Sequence, residues 1–190
     1  MLKLILIGES GVGKTSLIQR YVMNKFEPTY KITIGCDFLA KTVYVENKEY
    51  NLQIWDTAGH EKFSSMVSSF YRGSDGAIIV FDVTNTSSFT AIDTWISEYS
   101  RALNGKDVPI IICGNKVDCQ PRLVSTESAR QWCEGRNYSY IETSAATAQG
   151  VNDLFMEVVK VIIENKEDDN GDDLNPVPIA LETKSESGCC

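Results

Sequence analysis

Residues 8 to 15 read GESGVGKT and follow directly on the apolar run LKLILI. No other stretch narrows the possible folds as much. Its glycines allow a backbone turn tight enough for successive N–H groups to face one anion. Such a loop is built between a buried strand and a helix whose positive N-terminal end faces the same anion. Leu2 to Ile7 is the expected strand, apolar throughout as in a sheet buried on both faces. A helix is predicted from about Thr15 to Met23. The pattern G-x-x-x-x-G-K-[ST] sets Lys14 on the β and γ phosphates, where its charge also serves catalysis, and the Thr15 hydroxyl on Mg²⁺. Ser10, Gly11, Val12, Gly13 and Ser16 complete the cradle.

The rest of the chain alternates as such a loop requires. Asp37 to Val45 and Tyr50 to Asp56 are rich in strand formers and flank residues 46–49, the pattern of a hairpin. Apolar runs at Ala77 to Val83 and Val108 to Cys113 alternate with helical patterns at 88–103, 126–136 and 150–165, and a short strand fits Ser139 to Glu142. This order predicts an α/β phosphate-loop NTPase fold: a mostly parallel six-stranded sheet with one antiparallel strand, and helices on both faces. The domain is expected to span residues 1–165. From 166 to 190 the chain turns acidic, gains Gly and Pro and loses helical period, which predicts a disordered tail with NPVPIAL as an apolar island.

Eight of the 26 acidic residues lie from Glu164 onward, against two of the 18 basic ones, so a near-neutral body carries an acidic tail. Without clustered Lys and Arg, nucleic acid is not an expected partner. No apolar run reaches the roughly 18 residues of a membrane span, and LKLILIG lacks the cleavage site of a secretory signal. The six cysteines form no C-x-x-C pair and His60 is the sole histidine, so no Cys/His zinc set is available. Cys36, Cys113 and Cys133 read as buried thiols of a protein in a reducing compartment.

Two further motifs choose the nucleotide. GNKVD, residues 114–118, ends a predicted strand. The Asp118 carboxylate can accept from both the N1–H and the 2-amino group of guanine. Adenine lacks that donor pair and would leave a buried charge unpaired. Asn115 is expected to tie this loop to the phosphate loop, and the stem of Lys116 to cover the base. WDTAG, residues 55–59, supplies Asp56 to hold Mg²⁺ through water and Gly59 to bring a backbone N–H to the γ phosphate. A helix cap is the alternative use for Asp56.

GESGVGKT, Thr33 of KITIGCDF, WDTAG, NKVD and ETSA (142–145), in this order, resemble the motifs of the Ras-like small GTPases over about the first 165 residues. IGCDF (34–38), FYRGS (70–74) and Cys189-Cys190 are similar to the Rab branch. KITIGCDFLAKTV, RQWCEGRNYSYIETSA and PVPIAL are similar to its late-endosomal and lysosomal members. The resemblance implies a switch that binds GTP and GDP, hydrolyses GTP to GDP and phosphate with Mg²⁺, and regulates vesicle and endosome traffic. Its place would be the cytoplasmic face of late endosomes, lysosomes or phagosomes, in exchange with the cytosol.

The same resemblance assigns roles. Thr33 joins Thr15 and Asp56 at Mg²⁺ in the GTP state only, Phe26 packs beside the guanine, Tyr30 adds a nucleotide contact, and Ser144, Ala145 and Ala146 meet the base or sugar. Phe38, Trp55 and Phe70 match the aromatic triad read by effectors, although aromatics there would serve equally as core. The partners implied are effectors, an exchange factor, a GTPase-activating protein, a GDP-dissociation inhibitor and a prenylation escort. Cys189 and Cys190 match a double-cysteine prenylation signal, and two lipids suffice for stable anchoring. The acidic tail adds no attraction to anionic leaflets.

Two residues depart from the family. Ala146 stands where a lysine is usual, removing one contact near the base or sugar. His60 stands where a glutamine orients the attacking water. An imidazole lacks the amide's coplanar donor and acceptor, so unaided hydrolysis is expected below the family's rate, on the order of 10⁻⁴ s⁻¹. Histidine after D-x-x-G also occurs in translational GTPases, where it supports hydrolysis, and near pH 7 it can be neutral or charged. Rab-type activating proteins bring an arginine and a glutamine in trans. Two readings therefore stand: a switch that depends on its activating protein, and a GTP-loaded scaffold that scarcely hydrolyses.

Overall fold

The computed structural model describes residues 1–29, 32–33, 36–58 and 69–171, the side chains of 168–171 excepted. The elements are β1 (Leu2–Ile7), α1 (Lys14–Met23), β2 (Cys36–Val45), β3 (Lys48–Thr57), β4 (Gly76–Asp82), α2 (Thr86–Thr90), α3 (Ile92–Ala102), β5 (Ile110–Asn115), α4 (Thr126–Glu134), β6 (Ser139–Glu142) and α5 (Val151–Gly171). The six strands form one sheet in the order β2-β3-β1-β4-β5-β6. β2 pairs with β3 antiparallel and every other pairing is parallel, as the sequence predicts.

Successive side chains of a strand point to opposite faces, and both faces of β1 are covered. Leu2, Leu4 and Leu6 join a core with Leu17 and Tyr21 of α1 and with Phe155, Val158 and Ile162 of α5. Ile5 and Ile7 join a second core with Ile92 and Tyr99 of α3 and with Ala129 and Cys133 of α4. Tyr21 and Phe155 stack at 4.0 Å and fasten the two helices on the first face. Cys113 and Cys133 are buried free thiols, while Cys36 is half-buried. Among the described residues no helix is long and apolar enough to cross a membrane.

Strand and helix ends shift by one or two residues in several places, and three differences have a clear physical cause. The hairpin turn is two residues long, because Glu46 and Asn47 take φ of 49° and 64° and let Lys48 and Glu49 join the strand. The helix expected over 88–103 starts at Thr86, where Asn85 Oδ1 accepts the Ser87 N–H at 2.9 Å, and divides at Ala91. The last helix runs to Gly171, six residues past its expected end. Apolar period fails there, but Glu and Lys are good helix formers. Lys166 reaches Asp75 at 2.7 Å, and Glu167 reaches Lys48 at 4.0 Å.

Glu142, at the end of β6, shows how charge secures the sheet edge. Burial alone would raise its carboxyl pKa, but hydrogen bonds from Arg122, Tyr140 and Thr126 together hold it below the usual glutamate range. Tyr140 Oη donates at 2.8 Å, and Arg122 donates through both Nη atoms. A depressed folded-state pKa contributes stability above the unfolded value, lost as pH falls through the folded one. Glu142→Gln is therefore expected to melt a few degrees below the parent at pH 7. The gap should close as pH falls below the ordinary glutamate value of about 4.3. Thermal unfolding across that range measures it, and a gap that persists at acid pH would show that the carboxylate charge is not what holds.

Candidate functional site

β1, β3, β5 and β6 all deliver functional segments at their C-terminal ends, beside the point where strand order reverses about β1. Between these segments lies a cleft of about 410 Å³. The phosphate loop forms its floor. Gly8 has φ 143° and a Cβ there would lie 2.2 Å from the Val80 carbonyl oxygen; at Gly13, φ 99°, it would lie 2.4 Å from Asn115 Nδ2. Glycine is thus required by close approach as well as by backbone conformation. No side chain caps α1 at Gly13, which leaves the first N–H groups of that helix beside the cleft.

Lys14 is 5% exposed, and its Nζ donates to the carbonyls of Gly8 (2.7 Å) and Glu9 (2.9 Å). Burial pulls its pKa down to about 8, against the raising pull of Asp56 and Glu9. An anion in the cleft would favour the charged form. Thr15 Oγ1 donates to Asp56 Oδ2 at 2.5 Å, and Thr33 Oγ1 lies 2.9 Å from Thr15 Oγ1 and 3.4 Å from the same carboxylate oxygen. Asp56 Oδ1 is buried and has no hydrogen-bond partner among the described residues. Burial raises the Asp56 carboxyl pKa, opposed by Thr15, Lys14 and Thr33. Hard oxygen donors around an unpartnered carboxylate oxygen fit a small divalent cation.

Asn115 links floor and wall. Its Nδ2 donates to the Val12 carbonyl at 2.9 Å; its Oδ1 accepts from Thr143 Oγ1 (3.1 Å) and the Ala145 N–H (3.3 Å). Lys116 takes φ 68°, and Asp82 holds its ammonium at 2.6 Å. Asp118 is exposed on the cleft wall, with Cys119 Sγ 3.6 Å from its Oδ2.

Ser10, Gly11, Gly13, Lys14, Thr15, Ser16, Phe26, Thr33, Asn115, Lys116, Asp118, Ala145 and Ala146 all line this cleft. Val12 and Ser144 are buried instead. Ser144 closes its own loop, its N–H donating to Gln149 O at 2.9 Å and its Oγ accepting the Thr147 N–H at 3.0 Å. Tyr30, Gly59, His60, Cys189 and Cys190 lie outside the described residues. Sequence reasoning missed Gln19, Glu27, Pro28, Thr29 and Cys119, which also line the cleft. Gln19 was within reach of helical spacing, one turn after Thr15. Glu27 to Thr29 follow Phe26 with no periodic signal.

Phe38, Trp55 and Phe70 form a continuous aromatic row, with ring centroids 5.2 Å apart in the first pair and 5.7 Å in the second. Phe38 is 47% exposed, so the row reaches the surface.

Sheet order, phosphate loop and cleft together define a phosphate-loop GTPase fold. The Ras family model matches residues 3–164. The chain is 43% identical to the Ypt/Rab-type GTPase ypt7 of Schizosaccharomyces pombe, over 100% of this chain and 97% of that protein. It is 39% identical to the Ypt/Rab-type GTPase Rab7 of Neurospora crassa, with the same coverage. With the Ras-related protein RABG3b of Arabidopsis thaliana it shares 44% over 88% of this chain and 86% of that one. The chain belongs to the Ras family, among its Rab-type GTPases.

Asn115→Asp keeps an acceptor for Thr143 and Ala145 but sets a carboxylate oxygen against the Val12 carbonyl. Each buried polar group left unpaired costs about 1–3 kcal/mol. GDP affinity is expected to fall roughly ten- to a hundredfold, as read by calorimetry. An affinity equal to the parent's would show that the tie does not matter.

Proposed function

We propose that this protein is a Mg²⁺-dependent GTP/GDP switch that directs vesicle traffic between late endosome and lysosome or vacuole. The observation that carries this reading is the meeting of Thr15, Thr33 and Asp56 at one carboxylate oxygen. Thr15 opens a helix and Asp56 ends a strand, both framed by the sheet, whereas Thr33 comes from the connection between α1 and β2. These three would hold Mg²⁺, and Lys14 would offset charge on the β and γ phosphates. When bound, the ion supplies neutralisation of phosphate charge. Loss of the γ phosphate would remove the reason for Thr33 to stay, an order–disorder switch.

The connection holding Thr33 leads into β2, which carries Phe38. Nucleotide state would thus reach the row of Phe38, Trp55 and Phe70, the surface for effectors. The likeness to proteins named ypt7, Rab7 and RABG3b supports the late endocytic assignment. Prenyl groups on Cys189 and Cys190 would attach the protein to the membrane, and an exchange factor, an activating protein, a dissociation inhibitor and a prenylation escort would serve the cycle.

Thr33→Ala tests the switch. GDP affinity is expected to stay within a few-fold of the parent's, while Mg²⁺-dependent single-turnover GTP hydrolysis falls roughly tenfold or more. An equal loss for both nucleotides would remove the basis for a switch.

For His60 we propose a working switch slowed by its imidazole. His60→Gln should hydrolyse GTP several-fold faster unaided, and variant and parent should converge when a Rab-type activating protein is added. A parent as fast as the variant would make the histidine a competent substitute, and a parent that stays GTP-loaded with the activating protein would favour the scaffold.

A further inference from the structure

Arg20, in the last turn of α1, has no place in the phosphate or metal chemistry, yet all three of its guanidinium nitrogens are engaged. Nε donates to the Ala145 carbonyl at 2.8 Å and Nη2 to the Ala146 carbonyl at 2.9 Å. Nη1 donates to both the backbone oxygen and Oδ1 of Asn24, each at 3.2 Å. Asn24 is the left-handed C-cap of α1, with φ 54°, and returns its own N–H to Arg20 O at 3.0 Å. The guanidinium also lies 6.0 Å from the Phe26 ring centroid. One rigid planar group thus touches two walls of the cleft, the Phe26 side and the Ala145–Ala146 side.

The two peptides that flank Ala145 are each held, the Ser144–Ala145 one by its N–H and the Ala145–Ala146 one by its carbonyl. Asn115 Oδ1 takes the Ala145 N–H while Arg20 takes the Ala145 carbonyl. A trans peptide sets its carbonyl and its following N–H on opposite sides. Fixing the Ala145 carbonyl on Arg20 therefore aims the Ala146 N–H away from α1. Ala146 has no side chain beyond its methyl to steady this segment, unlike the lysine usual in the family.

We infer that Arg20 is a positioning residue for the guanine base: it orients the Ala145–Ala146 peptide so that guanine's O6 meets a fixed donor, and thereby sets how long nucleotide stays bound. The inference rests on the guanine reading of the cleft.

The test uses Arg20→Lys, which keeps the charge but has one nitrogen, and Arg20→Gln, which keeps a planar donor. Dissociation rates are measured for GDP and for the 5′-diphosphate of 2,6-diaminopurine riboside, whose 6-amino group replaces the O6 acceptor and whose N1 has no hydrogen for Asp118, the latter loss being common to parent and variants. Both variants should release GDP roughly tenfold faster or more, given the strength of hydrogen bonds to a charged donor. Their preference for GDP over the diaminopurine nucleotide should narrow by a similar factor. GDP release at the parent rate overturns the inference, and so does equal acceleration for the two nucleotides, which marks a role in stability alone. Should the parent itself fail to prefer GDP, the guanine reading fails instead.

Discussion

The Asn115 amide, 1% exposed, occupies space that exists only because Gly13 has no side chain, and through it the floor and one wall of the cleft become a single body. Nδ2 holds the phosphate loop at Val12, while Oδ1 holds Thr143 and Ala145. All three bonds are shielded from water. Leaving such partners unpaired costs about 1–3 kcal/mol each, against a total stability of roughly 5–15 kcal/mol for a domain. The loss of apolar contact on removing so small a side chain would be minor by comparison. Polar satisfaction, rather than hydrophobic burial, decides the geometry here.

That amide can be placed so accurately because β5 is rigid around it. Residues Ile111 to Asn115 are buried, and the strand is paired on both sides, Asp82 of β4 lying opposite Asn115. The same Asp82 then pins Lys116 and accepts from both N and Oγ1 of Thr84. Strand register therefore fixes two residues of the base loop at once. A preformed cleft loses less entropy on binding than one that must assemble. The described residues of the connection carrying Thr33, 24–29 and 32–33, have no comparable sheet pairing, and that contrast is what a nucleotide-dependent switch would need.

Chemistry was legible in the sequence wherever it depends on residue type at fixed local spacing. GESGVGKT and NKVD named eight of the eighteen residues that line the cleft, and six strand-forming runs named the sheet, because strand burial and phosphate cradling both impose local patterns. What escaped depends on backbone conformation or distant contact. Asn47 was a turn candidate, but nothing in its neighbours announced that Glu46 would share its left-handed conformation and shorten the hairpin. Nothing in the sequence around Arg20 announces its hold on the base loop, because the two carbonyls it reaches there lie 125 and 126 residues away. Ser144 sits inside a recognisable motif, yet its hydroxyl serves its own loop rather than the ligand, a distinction no motif encodes.

The end of α5 carries a consequence for how the domain meets its medium. Ile162 is fully buried, but further along the helix Lys166 is held at Asp75 and Glu167 at Lys48, and these pairs stand partly or largely in solvent. Asp75 also accepts the Lys3 N–H at 2.7 Å, so the start of β1 shares the anchor. Exposed pairs are weak and screened, the Debye length being about 8 Å at physiological ionic strength. The rigid length of this helix is therefore tuned by dissolved salt rather than by the core, and in concentrated electrolyte its last turns would loosen while the sheet beneath stayed intact.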